Sequence, residues 1–318
     1  MNNFTKPVLL SLIITLSITE VLYFDNHKSI LTETASLNIV FEEKKPKTIL
    51  FVGDIMLDRG VEYYTNKNTP LYPFQKIAEF TKGPDIVFGN LEGPIVENPP
   101  HFSDESLRFA FSPTVIEGLS FANFNLLSLA NNHTNNMGED GRKQTEEILA
   151  KADIDFVGHP VNCDQLLIKN EIVFLAFNKT FSLNCSAEEV IAKVEEAKQA
   201  NPEKFIVVAL HWGEEYQSES SAAQQELAHQ IIEAGTDLII GGHPHVIQEV
   251  EEYKNKMIFY SLGNFIFDQY FSLATQESLA VKLEIFPQKV VYSIFELESR
   301  LSQPALKKTE KRIIELKR

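Results

Sequence analysis

Five apolar, β-rich runs in this chain each stop at a residue able to hold a metal ion. TILFVGD ends on Asp54, DIVFGNLE on Asn90 and Glu92, NLLSLANNH on Asn132 and His133, FIVVALH on His211, and DLIIGGHPH on His243 and His245. Carboxylate, amide and imidazole form a mixed oxygen and nitrogen donor set that suits one or two divalent ions such as Mn, Fe or Zn. In open α/β sheets ligands sit in the crevice beyond the carboxyl ends of the strands, so endings far apart in sequence can converge on one site.

Taken singly, the motifs differ in weight. In GDIMLDRG, Asp54 follows a strand directly, where Asp is also an ordinary turn residue. Asp58 and Arg59 read as a local ion pair or as a rim that meets substrate, since the planar guanidinium fork matches carboxylate and phosphate. In GNLEGP, Asn90 and Glu92 are two apart, so on an extended segment both side chains point to one side, although the bracketing Gly and Pro also fit a simple turn. His133 beside two asparagines suits proton donation or charge stabilisation near neutral pH. His211 closes an apolar strand and is followed by a polar loop with Trp212, Gly213, Glu214 and Glu215. GGHPHVIQ is the sharpest local signal, because Pro244 holds His243 and His245 in one rigid loop. SLGNFIFDQ reads as support for these loops.

To bring such endings together the chain must alternate strands and helices. Strands are expected at 48–53, 85–89, 125–130, 205–210 and 237–241, with helices from Pro73, from Pro113, and over 139–151, 187–200 and 221–234. A hairpin is expected over LLIKNEIVFLAF with Asn170 at its turn. This βα repetition predicts a largely parallel sheet of buried strands. The runs KMIFYSLGNFIF, SLAVKLEIF and KVVYSIFEL predict an antiparallel second sheet. Residues 301–318, basic and weakly amphipathic, predict a solvated closing helix.

With 318 residues and a net charge of −15, a broad nucleic-acid surface is excluded, and an anionic substrate would be repelled unless a cation intervenes. Cys163 and Cys185 cannot make a zinc site alone but could pair in an oxidising compartment. Pro7 to Phe24 is apolar apart from hydroxyls and Glu20, and as a helix would span roughly 27 Å, close to a bilayer core. Residues 1–24 are read as a membrane anchor, with a cleaved signal peptide or a buried helix as alternatives. A stalk follows over 25–46 and a domain over 47–300, held outside the cytoplasm, or secreted if the segment is cleaved.

Taken in order, GDIMLDRG, FGNLEGP, SLANNHTNNMG, HWGEEY, GGHPHVIQ and YSLGNFIFDQ resemble the CapA-type capsule synthesis proteins, which include the poly-gamma-glutamate synthesis subunit. That family is similar to the calcineurin-like metallophosphoesterases, which implies a two-sheet αββα sandwich with a dimetal site. The resemblance makes Asp54 and His245 ligands of a first metal and Glu92 a bridging carboxylate. Asn132, His211 and His243 become ligands of a second metal, and His133 a catalytic acid. Met56 and Glu92 stand where the phosphoesterase pattern has His and Asp, so one firmly held ion and one weak or missing ion are expected. Arg59 remains a candidate substrate contact. The resemblance implies action in capsule or poly-gamma-glutamate synthesis, export or attachment, with an anionic polymer and membrane synthase subunits as partners. A surface hydrolase of phosphoesters or amides unrelated to capsule, and a non-catalytic partner of a polymer synthase, are the alternatives.

Overall fold

A strand covered on both faces has no side to show to water, and its sequence becomes a continuous apolar run. The computed structural model describes residues 45–102, 106–180, 184–307 and 311–318. The expected anchor, and the stalk as far as residue 44, lie outside them. Within the compact unit Pro46–Arg318, the first half alternates strands and helices: β1 (Lys47–Ile55), α1 (Arg59–Lys67), α2 (Ala78–Thr81), β2 (Ile86–Leu91), α3 (Val115–Phe121), β3 (Leu126–Ser128), α4 (Gly138–Lys151) and β4 (Asp155–Val157). There follow β5 (Leu166–Lys169), β6 (Ile172–Asn178), α5 (Ala187–Ala200), β7 (Phe205–His211), α6 (Ala222–Glu233) and β8 (Leu238–Gly242). Short strands β9 (Val250–Tyr253), β10 (Lys256–Phe259) and β11 (Asn264–Ile266) lead to the long β12 (Glu277–Ile285) and β13 (Lys289–Arg300), then β14 (Gln303–Leu306) and β15 (Arg312–Lys317).

Two sheets result. One has nine strands, running β14-β13-β12-β1-β2-β3-β4, with β11 also on β1 and β15 also on β13. The other has six, in the order β5-β6-β7-β8-β10-β9. Alternation along the strands assigns the layers. Ile49, Phe51, Ile86 and Phe88 meet Phe174, Val207, Ala209 and Ile240 between the sheets. Their neighbours Leu50, Val52, Val87 and Leu127 turn toward Phe74, Leu119 and Leu149 on the outside of the first sheet. Val173, Leu175, Val208 and Ile239 pack with Val190, Val194, Ala228 and Ile231 of α5 and α6. This is the expected αββα sandwich, with cores in all three interfaces. The lengths of α5 and α6 are set locally by capping boxes, Ser186 with Glu189 and Ser221 with Gln224.

Two expectations are corrected. The antiparallel C-terminal strands form no second sheet: β12 pairs with β1, Lys47 against Ile285 through Phe51 against Val281, and so extends the first sheet. The second sheet is built instead on the parallel trio β6, β7 and β8. Residues 301–318 are not a closing helix either. Leu301 and Ser302 turn the chain into β14, and β15 lies antiparallel on β13. Ile314 and Leu316, two apart, pack onto the core between the sheets while Arg312, Glu315 and Lys317 stay exposed. A period of two, matched to the long edge of β13, outweighs the weak helical pattern.

Candidate metal centre

The site forms where β1, β2, β3, β7 and β8 end. Asp54 is in register with Asn90 of β2 on one side and Asn264 of β11 on the other, and the ladder slips between Phe51 and Asp54. His211 lies opposite Gly242 at the ends of β7 and β8. A Cβ on Gly242 would come within 2.7 Å of Asp54 Oδ1, so only glycine there lets the carboxylate reach across from the other sheet. Beyond Gly242, His243 and His245 hold φ of 96° and 60°, a left-handed backbone that costs a non-glycine residue on the order of 1 kcal/mol or more. The His243 amide donates to Asp54 Oδ2 at 3.1 Å, which ties this loop to β1.

Asp54, Glu92, His211, His243 and His245 are all buried. Asn90 is the hub between them. Its Nδ2 lies 2.8 Å from Asp54 Oδ1, 3.5 Å from Glu92 Oε2 and 3.2 Å from His211 Nδ1, and its Oδ1 accepts from Asn131 at 3.0 Å. Since Asn90 Nδ2 can only donate, His211 accepts at Nδ1 and donates from Nε2 to Asn132 Oδ1 at 2.8 Å. Asn131 takes the turn role: its Oδ1 accepts from the amides of His133 and Thr134, at 3.0 and 2.9 Å.

Among the described residues, two groups have donor atoms all within 4.8 Å of one another: Asp54 with Glu92 and His245, and Glu215 with His243 and His245. Two buried atoms among them have no hydrogen-bond partner, Glu92 Oε1 and His243 Nδ1. Orphaned buried acceptors are rare because leaving one unpaired costs about 1–3 kcal/mol. A buried carboxylate oxygen and a buried imidazole nitrogen, each without a partner, are donors of the kind that hold a cation. Of the expected donors, Asp54 and His245 come together with Glu92, and His211 Nε2 lies 2.8 Å from Asn132 Oδ1. Met56 offers no compensation, since it is fully buried and its sulfur accepts from the Asp58 amide.

The electrostatics follow from burial. Burial raises the Asp54 carboxyl, but the His245 hydrogen bond and the charges of His211 and His245 overcome that and hold it at about 2. Glu92 is pushed well above the ordinary carboxyl range by burial and by Asp54 beside it. Burial lowers His245, yet Glu92 and Asp54 carry it up to about 9. His211 is driven far down by burial and by His243. His243 falls to about 4 through burial and the charge of His245.

His133 also falls to about 4, chiefly by burial. Its Nδ1 lies 3.1 Å from Asn136 Oδ1, an atom that already accepts the Phe109 amide at 2.7 Å. Nδ1 therefore carries the hydrogen, and the bare Nε2 faces Glu92 Oε1 at 3.8 Å. An imidazole in this state accepts a proton at Nε2 before it can give one.

Arg59, expected at the rim for substrate, is held by its neighbours while its Nε keeps no partner. Its guanidinium pairs with Asp268, donates to Ser106 O at 2.9 Å and lies over the Phe109 ring at 4.7 Å. It acts on the centre through its charge. Sequence reasoning undervalued Asn90, Asn131, Asn136, Asn264 and Glu215. Asn264 Oδ1 sits 2.9 Å from His245 Nδ1 while its Nδ2 donates to Thr275 O and Gln269 Oε1, which orients the imidazole. A Gly-Asn pair closing two separate apolar runs, GNLEG and LGNF, was the available signal.

An αββα sandwich with carboxylates and imidazoles gathered at its strand ends defines a two-sheet α/β protein with a candidate metal centre. Within that class the chain belongs to a particular family: residues 48–269 match the model of the bacterial capsule synthesis protein PGA_cap. It is 33% identical over 253 residues to the capsule biosynthesis protein CapA of Bacillus anthracis, covering 71% of this chain and 61% of that protein. It is equally 33% identical over 240 residues to the PGA biosynthesis protein CapA of Bacillus subtilis, covering 69% and 63%. The chain thus spans less than two thirds of the length of either relative. Among solved structures it is similar to a phosphatase of Mycoplasma pneumoniae, at a TM-score of 0.46 and 14% identity over 86% of this chain and 94% of the other. It is also similar to the calcineurin-like phosphoesterase YfkN of Bacillus subtilis, at 0.39 and 14% over 85% and 90%.

Proposed function

We propose that this chain is a metal-dependent hydrolase of the capsule synthesis family, anchored outside the cytoplasm and acting on an anionic polymer of the poly-gamma-glutamate kind during its synthesis, export or attachment. The observation that carries the metal reading is the pair of buried unpartnered atoms, Glu92 Oε1 and His243 Nδ1, on residues of two donor groups that share His245. The names of the two relatives support the polymer class. The Cys163–Cys185 disulfide, which closes the loop after β4 onto the loop before α5 with 5.8 Å between Cα atoms, supports an oxidising compartment.

Asp54, Glu92 and His245 would hold one ion and His243, His211 and Asn132 a second, with Asn90 and Asn264 fixing the donors. A bound divalent cation would supply Lewis acidity and local positive charge, which a chain of net −15 needs to meet an anion. His133 would take a proton at Nε2, its ring held by Asn136 and Phe109. A second reading, a non-catalytic partner of a membrane polymer synthase, is favoured by Met56, which stands where a further ligand would be needed and is fully buried with its sulfur accepting from the Asp58 amide.

Elemental analysis of the purified full-length chain is the first test, with stoichiometric Mn, Fe or Zn expected. His243→Ala should lose metal and any turnover of a phosphoester and amide panel. A metal-free chain, or a His243→Ala variant with unchanged metal and turnover, refutes the hydrolase. A metal-loaded chain that turns nothing over but copurifies with a synthase supports the partner.

A further inference from the structure

Outside the ligand set carried by the strand ends, one exposed carboxylate is held against the two left-handed histidines. Glu215 lies on the loop after β7, in HWGEEY, and its donor atom falls within 4.8 Å of those of His243 and His245. Exposed acids commonly drift near histidines without consequence, so what matters is how this one is fixed. The loop is pinned to the GGHPH loop on either side of it: the Trp212 amide donates to Gly242 O at 3.1 Å, and the Tyr216 amide to Pro244 O at 2.8 Å.

Between these pins the backbone turns twice through left-handed conformations, at Gly213 with φ of 83° and at Tyr216 with φ of 65°. The second is taken by a bulky residue, which persists only where the surroundings over-determine it. The Tyr216 ring lies 6.1 Å from the His245 ring, and its hydroxyl accepts from Gln269 at 3.1 Å. The loop therefore delivers Glu215 to one place beside the histidines.

His243 Nδ1 gives the independent sign of a ligand there. It is buried without a partner on a residue only 8% exposed, and that residue belongs to the same group of donors as Glu215. We propose that Glu215 is a metal ligand, forming with His243 and His245 a cation position at the mouth of the buried Asp54–Glu92–His245 cluster. One carboxylate and two imidazoles suit a borderline divalent ion, Zn or Mn, and not Ca or Mg, which prefer oxygen alone. His245 belongs to both groups. Its Nδ1 faces Asn264, which leaves Nε2 as the one nitrogen it offers to an ion, so the inner and outer positions are coupled.

This inference rests on the metal reading above, and the test separates the two. The full-length chain, stripped with chelator, is titrated with Zn or Mn by calorimetry beside Glu215→Gln, Glu214→Gln and Asp54→Asn. Glu215→Gln should weaken uptake by roughly tenfold or more, the scale of losing one group that holds or orients a metal. Glu214→Gln removes the same charge one residue away and should bind like wild type. Wild-type affinity and stoichiometry in Glu215→Gln, alongside weakened binding in Asp54→Asn, overturns the role of Glu215 alone. Equal weakening by Glu214→Gln and Glu215→Gln overturns it as well, because general charge would then explain the loss. A wild-type chain that takes up neither ion overturns both the role of Glu215 and the metal reading beneath it.

Discussion

At the scale of single residues, identity alone does not assign a role. Arg59 carries the fork that suits an anionic substrate, yet it is spent on Asp268, with both side chains 10% exposed. Removing one partner of a buried pair leaves an unpaired charge and typically costs about 3–5 kcal/mol. Asp268→Ala should therefore destabilise the protein by about 3 kcal/mol in urea unfolding, and replacing both residues by apolar ones should cost less than the sum of the single changes. A loss below about 0.5 kcal/mol, the range of an ordinary surface change, would return Arg59 to the pool of substrate contacts. The histidines teach a related lesson. His211 and His243 both follow apolar strands, but His211 has both ring nitrogens engaged and His243 leaves Nδ1 open. No sequence motif distinguishes these states, because the partners come from β2 and from the loop after β3.

At the scale of elements, β1 is the strand that sets the site, and it does so through its closeness to other backbones. A Cβ on Gly53 would lie 1.8 Å from Gly263 O. Gly53→Ala should thus cost more than about 3 kcal/mol or prevent folding, since backbone and not a flexible side chain stands in the way. Gly138, at the start of α4, has φ of 68° and nothing within 4 Å of an added Cβ. Gly138→Ala should cost only the left-handed conformation, about 1–2 kcal/mol. Thermal unfolding of the two variants checks this order, and equal losses would mean that the approach of β1 to Gly263 does not constrain the fold. The strands themselves were legible as apolar runs, and α5 and α6 as helices over 187–200 and 221–234. The partners of β12 and β15 were not, since a strand's sequence shows which face is buried but not which edge it joins.

At the scale of the whole molecule, the site's convergence depends on two sheets being held face to face, and the disulfide reinforces the second of them. Cys163 and Cys185 are 22 residues apart, so closing that loop should contribute about 3 kcal/mol by restricting the unfolded chain. Reduction, or Cys163→Ser with Cys185→Ser, should lower the melting temperature while leaving metal content unchanged, because none of the candidate ligands lies in the loop that the bridge closes. A melting temperature indifferent to reductant would show that the loop is already fixed by other contacts.

What the sequence by itself determined is the inventory and its order: five strand endings that carry donors, a βα alternation, and motifs enough to place the chain in its family. These are local properties, written in period, composition and spacing. The tertiary structure decided which donors are free. Asn90, Asn131 and Asn264 bond across strands that are distant in sequence and so position Asp54, His211 and His245, while Glu92 Oε1 and His243 Nδ1 stay without a partner. The physical reason is that a buried polar atom is defined by the partner it finds, and partners are fixed only when the strands are packed.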